Sequence, residues 1–277
     1  MIIRCWGARG SIPVSGLEYV KYGGDTPCLE IRTSNNNVCI VDAGTGIRRL
    51  GNALLQEKCY NYNMFFTHAH WDHLIGFPFF KPIYLSRVSI SMYGCPAAQS
   101  SIKDMLSNVM VAPHFPVDYH EIHCQIKYHE TCAEQYVMDS LWVSSIPLSH
   151  PNEGVGYKFE EGGKKFVFLT DNELSYQHPG GMLFKDYRNF CAGADLLIHD
   201  AEYTPEDYKK SWGHSTYADA VSLALEAGVK KLGLFHHNQD RTDDEIERIV
   251  ERCREMILQN GSSMECVALY QGMELTV

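Results

Sequence analysis

Apolar residues fall in short runs along this chain, and most runs stop at glycine or at a polar residue. In the first half the runs cover 1–6, 27–32, 38–42, 62–67 and 88–93, a length and composition that suit strands. Gly44-Thr45-Gly46 breaks the run that ends at Val41-Asp42, and 47–57 then reads as helical. Residues 98–110 form a plausible second helix, and strand patterning returns between 121 and 170. There Tyr157-Lys158-Phe159 and Phe166-Val167-Phe168-Leu169 flank Gly162-Gly163, the signature of a hairpin.

The last third alternates differently. Asp195-Leu196-Leu197-Ile198 reads as a strand, 216–227 as a helix stopped by Gly228, Leu232-Gly233-Leu234-Phe235 as a strand, and 242–259 as a helix. That final helix opens with Thr242-Asp243-Asp244-Glu245, a capping box that also sets acids at the positive end of the helix dipole. Ile246, Ile249, Val250 and Cys253 recur at helical spacing, so one face is expected to be buried. Two strand-rich halves, each closed by helices, predict an α/β fold: an αββα sandwich of two mixed β-sheets flanked by helices. No repeat, low-complexity tract or linker divides the sequence, so residues 1–277 are expected to form one domain.

Composition narrows the chemistry. Hydrophobic residues make up 45% of the 277, enough for a substantial core. The net charge is −10, and no Lys/Arg block supplies the basic stripe with which proteins grip polymeric nucleic acid. A long nucleic acid is therefore disfavoured, whereas a small phosphorylated substrate is not. No apolar run approaches the ~20 residues that cross a bilayer. The ten cysteines lie at 5, 28, 39, 59, 95, 124, 132, 191, 253 and 266, with no Cys-x-x-Cys pair. Cys39 and Cys266 sit in apolar stretches, where a free thiol behaves as a small hydrophobe. In a chain this large, with no secretory signal, that pattern points to a reducing cytoplasm and away from a disulfide framework.

The densest chemistry is Thr67-His68-Ala69-His70-Trp71-Asp72-His73. Three imidazoles and a carboxylate fall within six residues on the loop leaving the strand that ends at Thr67. Nitrogen donors with a carboxylate suit zinc, iron or manganese better than calcium or magnesium. Other strand ends deliver the same types of group: His150 after Ile146-Pro147-Leu148-Ser149, Asp171 after Phe168-Leu169-Thr170, and His236-His237 after Leu234-Phe235.

These motifs together resemble the metallo-β-lactamase-fold hydrolases, and more narrowly the branch of tRNase Z and the cyclic-phosphate phosphodiesterases. The resemblance implies that His68, His70 and His150 hold one metal and that Asp72, His73 and His236 hold a second. Asp171 would bridge the two, and Asp42 would support the ligand loop; His237 competes with His236 for the last position. Gly7-Ala8-Arg9-Gly10-Ser11 resembles the N-terminal loop of the phosphodiesterase-like members, which leaves Arg9 either to meet a phosphate or to fix that loop. Tyr22-Gly23-Gly24-Asp25-Thr26 resembles another of their segments, with Asp25 where asparagine is usual. Trp212-Gly213-His214-Ser215-Thr216 resembles the His-Ser-Thr motif of tRNase Z. His199-Asp200-Ala201-Glu202 stands where tRNase Z has His-Glu-Ala-Thr, so Asp200 is expected to replace the carboxylate that orients the catalytic histidine. His199 stays open between supporting a ligand and being an ordinary strand-end residue.

What the resemblance implies is a dinuclear metal-dependent phosphodiesterase with two divalent transition-metal ions, Zn²⁺ first and Mn²⁺ or Fe as alternatives. Two such ions about 3.5–4 Å apart acidify water and neutralise charge on phosphoryl oxygens. Asp72 would also manage a proton, and His214 would stabilise the transition state or protonate the leaving oxygen. The expected substrate is a small, cyclic phosphodiester such as a cyclic nucleotide or cyclic sugar phosphate, and a homodimer is compatible with the reading. The alternatives are a tRNase Z-like ribonuclease and a thioester or lactone hydrolase on the same metals. The tRNA-gripping arm of tRNase Z has no counterpart in the 27 residues from 172 to 198. Di-iron oxidoreductases of this fold carry glutamate in place of His70, which disfavours them.

Overall fold

The computed structural model describes residues 1–95, 101–130 and 135–277. One sheet contains β1 (Ile2–Gly7), β2 (Cys28–Arg32), β3 (Val38–Val41), β4 (Asn61–Phe65), β5 (Ser89–Gly94), β6 (Gln125–Glu130) and the last strand, β14 (Glu274–Thr276). The other contains β7 (Gln135–Met138), β8 (Leu141–Pro147), β9 (Val155–Glu161), β10 (Lys164–Leu169), β11 (Leu196–Asp200), β12 (Lys231–Phe235) and β13 (Glu265–Ala268). The orders are β14-β1-β2-β3-β4-β5-β6 and β13-β12-β11-β10-β9-β8-β7. Each seven-stranded sheet is mixed. Strands β3 to β6 run parallel, as do β10 to β13, and the remaining pairs are antiparallel.

Period-two alternation decides which way each side chain faces. Cys39, Val41 and Phe65 point into the space between the sheets, where they meet Tyr157, Phe159, Phe166, Phe168 and Ile198 of the facing sheet. Their neighbours Ile40 and Met64 point outward, onto α1 (Ile47–Gln56) and α3 (Ile102–Val109). On the second sheet Val167 and Leu197 point outward to α4 (Phe184–Phe190), α5 (Tyr217–Glu226) and α6 (Asp243–Gln259). Central strands buried on both faces thus read as continuous apolar runs, and the αββα sandwich follows. The expected capping box holds at α6, where Thr242 accepts the N–H of Glu245, and Thr216 makes the same box with Asp219 at the start of α5.

Three elements escape the sequence pattern. The first, α4, is only seven residues long. Strands β13 and β14 are short edge strands whose pairing is set by distant partners. The expected start of a helix at 98–100 lies outside the described residues, as does Cys132. Eight cysteines are free thiols, but Cys95 is disulfide-bonded. The expectation of unpaired cysteines throughout is corrected there, because pairing depends on distance in space and not on spacing in sequence. No helix among the described residues is long and apolar enough to cross a membrane.

Phe65 is fully buried between the sheets, stacked on Tyr93 with centroids 4.8 Å apart and edge-on to Tyr157 and Phe159 at 5.3 and 5.5 Å. Phe65→Ala would leave a cavity that rigid strands cannot close. We expect it to cost about 3–5 kcal/mol of unfolding free energy, read from urea titration.

Candidate metal centre

The strands of the two sheets that lie nearest the site release their side chains at one edge, the carboxyl ends where open α/β sheets bind ligands. Asp42 follows β3, the His68–His73 loop follows β4, His150 follows β8, Asp171 follows β10 and His236 follows β12. Asp42, Asp171 and His236 have φ of 63°, 52° and 55°. Each chain therefore turns from extended to left-handed at the site residue itself, a conformation that non-glycine residues adopt at a cost. Directly after His70, the one-turn helix α2 (Trp71–Leu74) buries Asp72 and His73 on its inner side.

The donor atoms of His68, His70, His150 and Asp171 lie within 4.8 Å of one another, and those of Asp72, His73 and His236 form a second such group. Asp171 lies between the two: Oδ2 is 3.4 Å from His68 Nε2 and 3.4 Å from His236 Nε2, while Oδ1 is 3.3 Å from His73 Nε2. His214 forms a further group with Asp171 and His236, its ring stacked on His236 at 4.7 Å. His236 and His237 differ in direction. His236 Nε2 is 3.1 Å from Asp72 Oδ2, whereas His237 points away and donates to Leu269 O at 2.8 Å.

These residues fit transition-metal cations. His68 Nε2 and His73 Nε2 are buried and have no hydrogen-bond partner. A buried polar atom left so costs about 1–3 kcal/mol, which a cation on the lone pair would remove. His150 Nε2 and His70 Nδ1 face each other at 3.1 Å, as two donors to one ion would. Burial drives His150 down to about 3 and His68 well below the usual imidazole range, so both stand neutral, the form that binds metal. His73 and His236 go the other way. Burial opposes their charge, but the carboxylates of Asp72 and Asp171, with Asp42 at His73 and Glu202 at His236, raise both well above it.

Hydrogen bonds behind the donors fix the rings. Asp42 Oδ1 accepts the Thr67 N–H (2.8 Å), and Oδ2 accepts both the Thr67 hydroxyl and His73 Nδ1, each at 2.8 Å. His150 Nδ1 donates to Gly213 O at 2.9 Å, and His236 Nδ1 donates to Glu202 Oε2 at 2.8 Å. Each ring thereby turns Nε2 toward the cluster. Gly213 has φ +92°, and a Cβ there would lie 2.1 Å from His150 Nδ1, so only glycine lets this loop reach the imidazole. The loop is anchored by Glu173, a buried carboxylate that accepts from His178 Nε2 (2.7 Å), Tyr208 Oη (2.5 Å), Ser211 N (2.7 Å) and Gly213 N (2.8 Å).

Several expectations change. Asp200 does not hold His214 in one tautomer: Asp200 Oδ2 is 3.7 Å from His214 Nδ1, beyond a hydrogen bond. Its carboxylate instead accepts the backbone N–H of Asn172 (3.0 Å) and Ser215 (2.8 Å), tying the loops that carry Asp171 and His214. Glu202, two residues on, takes the role at His236 and lies 3.8 Å from His214 Nε2. Arg9 is buried and spends its guanidinium on the carbonyls of Gly23, Asn238 and Arg241, so it fixes loops. His199 donates Nδ1 to Asp200 O (2.8 Å) and receives the Asn172 amide at Nε2 (3.2 Å), one step behind the site. His178 is buried against Glu173. Glu202, Glu173 and Asn172 were missed because carboxylates and amides in loops are common; only the position of Glu202 within the His199–Glu202 motif could have marked it.

The fold and the histidine–aspartate cluster at its strand ends define a metal-dependent hydrolase of the metallo-β-lactamase fold. The model of the beta-lactamase superfamily domain matches residues 38–237, and the chain belongs to that family. It is 25% identical to a Ribonuclease Z of Picrophilus torridus, over 86% of this chain and 85% of that protein. A structure of yeast PDE1 matches it with a TM-score of 0.74 at 15% identity, covering 100% of this chain and 99% of that one. Human tRNase Z, short form, gives 0.67 at 20% identity, again over 100% and 99%.

Two outcomes follow from the supporting bonds. Asp42→Ala unpairs His73 Nδ1 and both Thr67 groups, and zinc affinity should fall about 10- to 100-fold, measured against a competing chelator. Because neighbouring carboxylates push His73 and His236 toward the protonated form whereas burial pushes His68 and His150 toward the neutral one, zinc uptake by metal-free protein should release protons. Calorimetry in buffers of different ionisation enthalpy reads that release, which should shrink as pH rises.

Proposed function

We propose that this chain is a dinuclear metal-dependent phosphodiesterase that cleaves a small, cyclic phosphodiester, with cyclic nucleotides and cyclic sugar phosphates as the leading candidates. The observation that carries the reading is the Asp171 carboxylate between two sets of imidazoles, with His68 Nε2 and His73 Nε2 turned toward it and unpaired. His68, His70 and His150 would hold one ion, Asp72, His73 and His236 the other, with Asp171 shared and zinc the best match to the donors. When bound, the ions supply Lewis acidity and an activated water. We take the whole chain as one catalytic unit, since β14 pairs with β1 and joins both ends of the described chain in one sheet.

The side chains divide the remaining work. Asp72 Oδ2 already accepts from the Ser11 N–H at 2.8 Å and faces His236, so it is placed to take a proton from the nucleophile. His214 is buried, yet Glu202, Asp200 and Asp171 raise its pKa above the usual imidazole value. That direction is the one a proton donor to the leaving oxygen needs. Asp200 serves by holding the backbone of Ser215, and with it the placement of His214.

A ribonuclease is the second reading, favoured by the relatives named Ribonuclease Z. The charge of −10 and a 172–198 segment with one lysine, Lys185, and one arginine, Arg188, count against a grip on long RNA. Metal analysis of replete protein should give close to two ions per chain, and the protein should hydrolyse bis(p-nitrophenyl) phosphate; one ion or none would end the dinuclear reading. Asp171→Ala should lose metal and turnover together. His214→Ala should keep its metal and lose on the order of 10²–10⁴-fold in kcat; an unchanged kcat would remove His214 from catalysis. Cyclic nucleotides, cyclic sugar phosphates and precursor tRNA, compared on one preparation, separate the two readings.

A further inference from the structure

Two of the candidate donors, Asp72 and His73, stand side by side on α2, and α2 is a single turn. A helix leaves its last four carbonyls without partners inside itself, so a turn of four residues depends on groups outside it. Ile75 N–H reaches back to Trp71 O at 2.7 Å. The donor next in register, Gly76 N–H, turns away to Ala43 O at 2.9 Å and leaves Asp72 O to be met from elsewhere.

Thr26 meets it. This fully buried residue lies just before β2, and its hydroxyl donates to Asp72 O at 2.7 Å. The same hydroxyl accepts the Thr45 N–H at 2.8 Å, while Thr45 Oγ1 accepts the Thr26 N–H at 2.9 Å. The two threonines therefore form a reciprocal pair. Its proton order is fixed at each end by a group that only accepts. One is Asp72 O; the other is the Asp25 carboxylate, which takes the Thr45 hydroxyl at 2.9 Å. The second oxygen of Asp25 takes the Gln271 amide at 2.6 Å, so the acid that replaces the usual asparagine is occupied by two donors. Ala43, on the same loop as Thr45, adds its N–H to His73 O at 2.7 Å.

We propose that the Thr26–Thr45 pair braces the candidate metal centre, with Thr26 as a positioning residue that holds the Asp72 carbonyl and so sets how α2 presents Asp72 and His73 to one ion. The proposal rests on the two-ion reading and adds to it a residue that touches neither ion nor substrate. Asp42 fixes the ring of His73, whereas Thr26 fixes the backbone that carries Asp72, so the two supports are separate. His68 and His70 precede α2, and His150 follows β8, so the ion they would hold does not depend on the brace.

Zinc titration of metal-free protein against a competing chelator, resolved into two steps, tests this without turnover; His150→Ala and His236→Ala assign the steps to the two ions. Thr26→Val keeps the shape of the side chain and removes the hydroxyl. It should weaken the ion of Asp72, His73 and His236 about 10- to 100-fold, the loss usual when a group that orients metal ligands is removed, and leave the other step at its wild-type value. With cobalt in place of zinc, the visible absorption of the weakened ion alone should change. Thr26→Ser, which keeps the hydroxyl, should restore both steps. Thr45→Val, at a half-buried position, should act in the same direction and serves in place of Thr26→Val if that variant does not fold. The brace is overturned if Thr26→Val binds both ions as the wild type does, or if it weakens the two steps equally. It is also overturned if Thr26→Ser loses as much as Thr26→Val, which marks a packing role. A wild type that takes up a single ion ends the two-ion reading, and the brace survives only if Thr26→Val weakens that ion and Thr26→Ser restores it. A wild type that takes up none ends both.

Discussion

The Asp42 carboxylate is the constraint on which the site depends. It sits at the end of β3 with no exposed surface, and its two oxygens clamp the start of the neighbouring strand's loop and the ring of His73. A buried carboxylate is tolerated only when donors surround it, and here the donors are parts of the ligand loop. Satisfying Asp42 therefore forces Thr67 into place and aims His73 Nε2 at Asp171. The same economy appears at Glu202 behind His236 and at Glu173 behind Gly213 and His150. Three buried acids that touch no substrate each orient a ring that could bind metal.

The left-handed residues explain how strands from two sheets reach one point. A strand projects its side chains perpendicular to the sheet, so a residue that simply continued β3, β10 or β12 would face a core layer. Turning the backbone at Asp42, Asp171 and His236 swings the side chain out along the strand direction, toward the edge. The strain is of order 1–3 kcal/mol per residue, and the network of charge-assisted hydrogen bonds around each carboxylate offsets it. Gly10 shows how tightly the parts close: a Cβ there would lie 2.3 Å from His236 Nδ1. The N-terminal loop, through Gly10 and the Ser11 N–H on Asp72, thus forms one wall of a site whose donors lie far along the chain.

Much was legible because the signals are local. The core strands are buried on both faces and read as apolar runs; α6 announces itself by its capping box; the heptad 67–73 carries its chemistry in seven residues. The placing of His150, Asp171 and His236 just past strands was readable for the same reason. Asp200 shows the limit. Its motif position predicted contact with His214, yet two backbone amides reach its oxygens first, and an N–H presented by a rigid loop outcompetes a ring 3.7 Å away. His178 and Glu173 carry no pattern at all, because their partners lie in loops brought together by the sandwich.

By itself the sequence determined the two-sheet architecture and most of the histidines and carboxylates that gather at the strand ends, since alternation, capping and residue clustering act over a few residues. The tertiary structure decided which of His236 and His237 turns inward, which carboxylate supports which ring, the bonding of Cys95, and the hold of Thr26 on Asp72. Those outcomes depend on separation in space between residues as many as 164 positions apart, such as His236 and Asp72. A hydrogen bond forms or fails over a few tenths of an ångström, and no pattern along the chain specifies that distance.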